Sequence, residues 1–378
     1  MALRPVTSLN IILVVGARPN FVKVAPLFHA LAELDDVRPS LLHTGQHYDW
    51  ALSQSFIEQL GLPEPKDYLN VGSGTHAEQT AGVLVGVERV LLERRPDALV
   101  VAGDVNSTMA AALAAAKTGT PVAHLESGLR SHDWTMPEEV NRAVTDRVAD
   151  LLLCPSQDAV DNLVREGAGE DLIALVGNTM IDSLLRLLPA ARATAAVAAH
   201  GLEPGGYALV TLHRPALVDD PAHLGTLLEV LRDLAARLPV VFPIHPRTRA
   251  RIEARDPRSL EGITALPPAD YLEFIALEES ARLVITDSGG VQEETSALGV
   301  ACLTYRDTTE RPITVELGTN TLVGLDPAEL ARACGARLEE QPPSPAAIPL
   351  WDGEAGARAA EHVAALARRA YGAPAGSR

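Results

Sequence analysis

Residues 97–130 read DALVVAGDVNSTMAAALAAAKTGTPVAHLESGLR. Two short β-rich runs, 97–102 (DALVVA) and 121–125 (PVAHL), flank an alanine-rich stretch at 106–118 built of strong helix formers. Strand, helix, strand over about 30 residues predicts a βαβ unit, two parallel strands joined by a right-handed crossover. The polar residues fall just after the strands: Gly103-Asp104-Val105-Asn106 behind the first, Glu126-Ser127-Gly128 behind the second. Open parallel sheets bind ligands beyond the carboxyl ends of their strands, so these positions are the first candidates for chemistry.

The alternation extends in both directions. Runs at 10–15 (NIILVV), 38–43, 150–153 and 172–176 read as further strands, with helical patterns at 21–34, 49–60, 76–94, 138–149, 157–167 and 179–189. Residues 64–71 (EPKDYLNV) are broken by proline and charge and are expected to form no strand. The Ala-, Gly- and Pro-rich stretch 190–206 reads as a linker. The pattern then restarts, with strands at 207–212, 240–244, 263–266, 282–286, 301–305 and 320–323. Helices are expected near 221–237, 270–279, 291–298 and 326–338. A Pro-rich connector at 341–349 precedes a last helix at 354–371. The expectation is an α/β protein of two doubly wound lobes, 1–189 and 207–353, with a ligand cleft between them.

Composition limits what those lobes do. A chain of 378 residues suits two domains of about 150–200 residues each. Apolar residues at 47% and charged residues at 21% exclude intrinsic disorder. A net charge of −17 disfavours nucleic acid and polybasic membrane binding, although a small basic pocket can still take an anion. Aromatics at 4% are too few for base-stacking platforms. Cys154, Cys302 and Cys334 are far apart, which argues against a disulfide framework and against a thiolate metal site. Residues 1–5 lack a signal-peptide pattern and the apolar run 11–15 is too short to span a bilayer, so a cytoplasmic protein without a membrane partner is expected.

The strand-end residues have a consistent chemistry. Gly16-Ala17-Arg18-Pro19-Asn20 leads into a helix carrying Lys23, which suits an anion site or, more plainly, a turn with a surface arginine. Gly72-Ser73-Gly74-Thr75-His76-Ala77 has the letters of a dinucleotide fingerprint but not its strand–turn–helix context, and no dinucleotide is expected there. Asp104, Glu126 and Glu138 with Glu139 place acids behind successive elements. Pro137-Glu138-Glu139 is also a good helix start in its own right. In the second half, His213-Arg214 and His245 follow two strands. Residues 286–294 (TDSGGVQEE) run from a strand through Ser288-Gly289-Gly290 into a helix, a phosphate cradle, with Glu294 one turn on and able to accept ribose hydroxyls. Arg311 follows the next strand.

The runs GARPNFVKVAPL, GDVNST, HLESGLR, MPEEVNR, GNTMIDSL, TLHR, TDSGGVQEE and RDTTERP, in this order, resemble the non-hydrolysing UDP-N-acetylglucosamine 2-epimerases from about residue 10 to the WDG of 351–353. The resemblance implies two Rossmann-like lobes of the GT-B glycosyltransferase type, with the C-terminal helix returning to the first lobe. It implies reversible C2 epimerisation of UDP-N-acetylglucosamine to UDP-N-acetylmannosamine, with no metal or cofactor, by elimination of UDP to 2-acetamidoglucal and re-addition. It also implies a homodimer whose product could feed cell-envelope polysaccharide synthesis, as a capsule or a cell-wall linkage unit, or a specialised metabolite. By the same resemblance Asp104, Glu126 and Glu138 are the acid/base carboxylates and His213 assists the leaving diphosphate. Arg18, Lys23, Arg214 and His245 line the cleft; Ser288, Gly289 and Gly290 hold phosphate; Glu294 holds ribose; Arg311 supports the UDP end. Gln46, His47 and Glu139 fall in regions that bind an activating second UDP-sugar in bacterial relatives. Here Asp49, the VGSGT of 71–75 and Pro215-Ala216 depart from that pattern. Three alternatives stay open: a hydrolysing 2-epimerase, a GT-B glycosyltransferase with an acceptor groove, and an idle UDP-sugar sensor.

Overall fold

The computed structural model describes residues 8–45, 56–212, 221–244, 249–250, 252–253 and 258–372. The chain divides into two units, one of residues 1–183 with 349–378 and one of 184–348.

The first unit holds a sheet of β1 (Leu9–Val15), β2 (Val37–His43), β3 (Asp67–Tyr68), β4 (Ala98–Ala102), β5 (Val122–Leu125), β6 (Leu151–Cys154) and β7 (Ile173–Leu175). The order is β3-β2-β1-β4-β5-β6-β7 and every neighbouring pair is parallel. β4 is wholly buried and β1 nearly so, which is why they read as continuous apolar runs rather than alternating ones. Between the strands run α1 (Arg18–Ala32), α2 (His76–Arg94), α3 (Asn106–Thr118), α4 (Pro137–Val148), α5 (Gln157–Arg165) and α6 (Thr179–Ala193). The alanines of α3 (Ala110, Ala111, Ala112, Ala114 and Ala115) are buried, so this helix lies close against both β4 and α2.

One expectation is corrected in this unit. Asp67–Tyr68 does form a strand, paired with Leu42–His43 at the sheet edge, where nearby prolines are tolerated. The Gly72–Ala77 segment is a helix cap: Thr75 and Glu78 exchange side-chain-to-backbone hydrogen bonds at the start of α2.

The second unit begins inside α6, at Leu184. The expected linker 190–206 is not one. It contains the end of α6 and the short α7 (Ala196–Ala199), and Ala191 and Ala196 are buried. It is tied down further by His200 Nε2, 2.6 Å from Glu273 Oε1. Strands β8 (Ala208–Thr211), β9 (Val240–Pro243), β10 (Ile263–Leu266), β11 (Leu283–Thr286), β12 (Ala301–Thr304) and β13 (Asn320–Leu322) form a parallel sheet ordered β10-β9-β8-β11-β12-β13. Its helices are α8 (Pro221–Ala235), α9 (Tyr271–Glu279), α10 (Gly289–Leu298), α11 (Pro312–Glu316) and α12 (Pro327–Glu339). Both sheets have the doubly wound order, which reverses between β1 and β4 and again between β8 and β11.

Helix α13 (Ala355–Gly372) belongs to the first unit and packs on α1. The contact is close because Gly356 has no side chain: a Cβ there would lie 2.6 Å from the Pro26 carbonyl carbon. Gly356 N also donates to Asp182 Oδ2 at 2.7 Å. No helix among the described residues is long and apolar enough to cross a membrane.

Candidate active site

In the first unit the turn after β1 is held by one side chain. Asn20 Oδ1 accepts from Gly16 N at 3.1 Å and Ala17 N at 3.0 Å, while Asn20 Nδ2 donates to Ala102 O at 2.9 Å at the end of β4. Gly16 is required for space. A Cβ would lie 2.6 Å from Thr44 Oγ1 and 2.7 Å from Ser107 Oγ, which bond each other at 2.8 Å. One turn into α1, Lys23 Nζ lies 2.5 Å from Glu126 Oε2, and both side chains are buried. Gly103 makes room for this pair: it has φ +68°, and a Cβ on it would lie 2.7 Å from Lys23 Nζ. Glu126 itself has φ +67°, in the left-handed region that side chains disfavour. Such strain persists where the surroundings over-determine it and is concentrated at functional sites.

Asp104 sits beside this pair, at the end of the neighbouring strand. Its Oδ2 accepts from Arg142 Nε at 3.1 Å and Nη2 at 2.6 Å, and its carbonyl accepts from Asn141 Nδ2 at 2.8 Å. The Asp104 side chain keeps 22% exposure, unlike Glu126 at 6%. Arg142 also donates to Glu139 Oε2 at 2.6 Å. Glu139 is buried, which alone would raise its pKa. Donation from Ser131 N, His132 N and Arg142 outweighs burial and holds the carboxyl below the usual range. Glu138 shares the first turn of α4 with Glu139, but its side chain is exposed. Behind the site, His124 bridges Gly103 O (Nε2, 2.9 Å) and Asp146 Oδ1 (Nδ1, 2.6 Å).

In the second unit Ser288 precedes α10 and Gly289 and Gly290 are its first residues. Arg311 packs against the turn: a Cβ on Gly289 would run into its guanidinium and would lie 2.6 Å from Glu310 Oε1. Arg311 is fixed by Glu293 (2.9 Å) and Glu310 (2.6 Å), and Glu310 by Arg306 (2.8 Å), so four charges are buried in matched pairs. Glu294 is buried and accepts from Tyr271 Oη at 2.7 Å. Burial pushes its carboxyl up to about 7, with the Tyr271 hydroxyl acting in the opposite sense. Glu278, fully buried on α9, is driven well above its ordinary value by burial and by Glu294.

The structure therefore brings Lys23, Asp104, Glu126 and Glu139 together in one unit, and Ser288, Gly289, Gly290, Glu294 and Arg311 in the other. Gln46, His47, His213, Arg214 and His245 lie outside the described residues, and Arg18 is described only as the first residue of α1. Sequence reasoning gave no role to Asn20, His124, Arg142 or Asp146. His124 lies on β5 two residues before Glu126, which follows the end of the strand; nearness to a candidate carboxylate was the available signal. Arg142 stands three residues after Glu139 on one helix face. Among the described residues no group of three or more His, Cys, Asp or Glu side chains could hold a metal ion.

Residues 29–364 match the UDP-N-acetylglucosamine 2-epimerase family. The chain is 42% identical over 338 residues to a UDP-N-acetylglucosamine 2-epimerase of Methanocaldococcus jannaschii, covering 87% of this chain and 92% of that one. It is 43% identical over 319 residues to a UDP-2,3-diacetamido-2,3-dideoxy-D-glucuronate 2-epimerase of Pseudomonas aeruginosa, covering 84% and 88%. The crystal structure of the Methanocaldococcus jannaschii UDP-GlcNAc 2-epimerase in complex with UDP-GlcNAc and UDP superposes with a TM-score of 0.87 at 40% identity, over 94% of this chain and all of that one. With the family match spanning most of its length and two doubly wound sheets of the same fold, this chain belongs to the UDP-N-acetylglucosamine 2-epimerase family.

Proposed function

We propose that the protein interconverts UDP-N-acetylglucosamine and UDP-N-acetylmannosamine by eliminating UDP across C1–C2 and re-adding it. The observation that carries this reading is the pair of unlike carboxylates at adjoining strand ends, Glu126 buried on Lys23 and Asp104 partly exposed on Arg142. The C2 proton has no adjacent carbonyl to acidify it, so inversion through an enolate is closed. Elimination needs a base at C2, and re-addition needs an acid on the opposite face. Charge developing on the departing diphosphate needs fixed donors, a role we assign to the Ser288-Gly289-Gly290 turn at the start of α10, with Arg311 supporting the turn from behind. Glu138, exposed on α4, is the third carboxylate of the proposal. Glu139 is read as a scaffold for residues 131–132 and Arg142 rather than as an activator contact, since its oxygens are already taken. His213, Arg214, Arg18 and His245 complete the site on the resemblance alone, and a homodimer is proposed on the same ground.

Proton NMR in deuterium oxide with UDP-N-acetylglucosamine tests the reading. The expected result is UDP-N-acetylmannosamine with deuterium at C2; free N-acetylmannosamine would mark a hydrolysing enzyme, and no exchange a sensor. A second substrate reading has its own support, because the relative acting on a diacetamido glucuronate sugar is as similar as the one named for UDP-N-acetylglucosamine. Running both UDP-sugars through the same assay, and comparing kcat/KM, decides between them.

Nucleotide binding should depend on pH. Glu294 accepts ribose hydroxyls as a carboxylate, but its own carboxyl sits at about 7. Protonation then competes with the nucleotide, so UDP affinity is full above pH 7 and is lost as pH falls, approaching about tenfold per unit. Calorimetry at pH 6 should also show a proton released per UDP bound. A Kd independent of pH between about 5.5 and 8 would remove Glu294 from the ribose contact.

A further inference from the structure

The polar chain behind Asp104 is longer than the reaction uses. His124 is wholly buried, with Nε2 2.9 Å from the Gly103 carbonyl oxygen and Nδ1 2.6 Å from Asp146 Oδ1. A carbonyl oxygen accepts and never donates, so Nε2 carries a hydrogen. Asp146 already accepts through Oδ2 from Arg130 Nη1 at 2.8 Å and Gly128 N at 3.2 Å. Burial would raise its pKa, but His124 and Arg130 hold the carboxyl below its ordinary range. A carboxylate opposite Nδ1 requires a hydrogen there as well. Both ring nitrogens therefore face acceptors, a carbonyl oxygen at Nε2 and a carboxylate at Nδ1.

His124 adds to the bonds that hold this turn, Arg142 on the Asp104 carboxylate and Asn141 on its carbonyl. Gly103 has φ +68° and no side chain, and the space a Cβ would fill is taken by Lys23 Nζ. Its N–H donates to Leu125 O at 3.0 Å and its carbonyl faces His124, so β5 grips the 103–104 turn from both sides. The charged groups around this turn are Asp146 on α4, Arg130 beyond β5, Asp104 with Arg142, and Lys23 with Glu126.

We propose that His124 is a positioning residue for the reaction: a buried imidazolium, with Asp146 as counter-ion, that fixes the Gly103 carbonyl and thereby the direction and charge of Asp104. The proposal rests on the reading of Asp104 as an acid/base carboxylate. The cation lies one residue from Asp104 and favours its ionised form.

Asp146→Asn keeps the size of the side chain and removes the counter-ion. Ring nitrogen-15 shifts of His124 should report both ring nitrogens protonated in the wild type and only one in Asp146→Asn. In the same variant kcat should fall roughly ten- to a hundredfold with KM unchanged. The acid limb of its kcat profile should move to higher pH, because the ring that loses its charge lies nearer the 103–104 turn than the carboxylate removed with it. Glu166→Gln loosens Arg130, which Glu166 grips at 2.7 and 2.8 Å, but leaves the His124–Asp146 contact in place; kcat and its pH profile should stay as in the wild type. A neutral His124 in the wild type overturns the proposal, as does a folded Asp146→Asn with wild-type kcat and profile. If Asp146→Asn does not fold, the wild-type nitrogen shifts still decide the charge, and His124→Gln supplies the kinetic arm with the same kcat loss expected. Asp104→Asn tests the underlying reading separately: full activity there would overturn the acid/base assignment whatever the His124 shifts show.

Discussion

Asp104→Asn should lower kcat for C2 inversion by roughly 10²- to 10⁴-fold, the usual worth of a positioned acid or base. The fold should survive the change. Arg142 keeps its 2.6 Å contact with Glu139, the Asp104 carbonyl stays bonded to Asn141, and the side chain being changed is partly open to solvent. The amide retains an oxygen for Arg142 but has no basic site for the C2 proton. Deuterium entry at C2 and product ratio read the chemistry, and thermal unfolding reads the fold. Loss of exchange with a near-native unfolding temperature is the expected pair of results. A folded variant with wild-type exchange would take Asp104 out of the reaction.

Lys23→Met should have the largest effect on stability. It removes the ammonium 2.5 Å from the Glu126 carboxylate while leaving that carboxylate in an enclosed site. Breaking a buried ion pair from one side costs about 3–5 kcal/mol, well above the value of an exposed pair. Urea unfolding should show a lower midpoint at an unchanged slope. Adding Glu126→Gln to Lys23→Met should recover part of the loss, because the second change removes the charge stranded by the first. A single variant within about 1 kcal/mol of the wild type would mean that the pair is no stronger than a surface contact.

The lobes were legible because buried parallel strands print as apolar runs with helices between them, and two of the proposed site carboxylates follow such runs. Asp104 and Glu126 could be found by asking only what comes after DALVVA and PVAHL. The Asp67–Tyr68 strand could not, since two residues at a sheet edge carry no periodicity. Residues 190–206 misled for a related reason: alanine and glycine pack through small contacts that composition does not distinguish from a flexible linker. Asn20, Arg142 and Asp146 went unassigned because their partners are distant in sequence. Arg142 meets Asp104 across 38 positions, and Asn20 meets Ala102 across 82. Only the order of strands in the sheet makes those residues neighbours.

The seam between α1 and α13 has a consequence for how the protein is made. Residues 18–32 leave the ribosome early, yet the surface that covers Pro26 is translated more than 300 residues later, at Gly356. A nascent first unit therefore waits with the α13-facing side of α1 uncovered while the whole second unit is synthesised. Contacts this distant in sequence form late and leave apolar surface open to association in the meantime. The exposure to misassociation during synthesis should accordingly fall on the first unit.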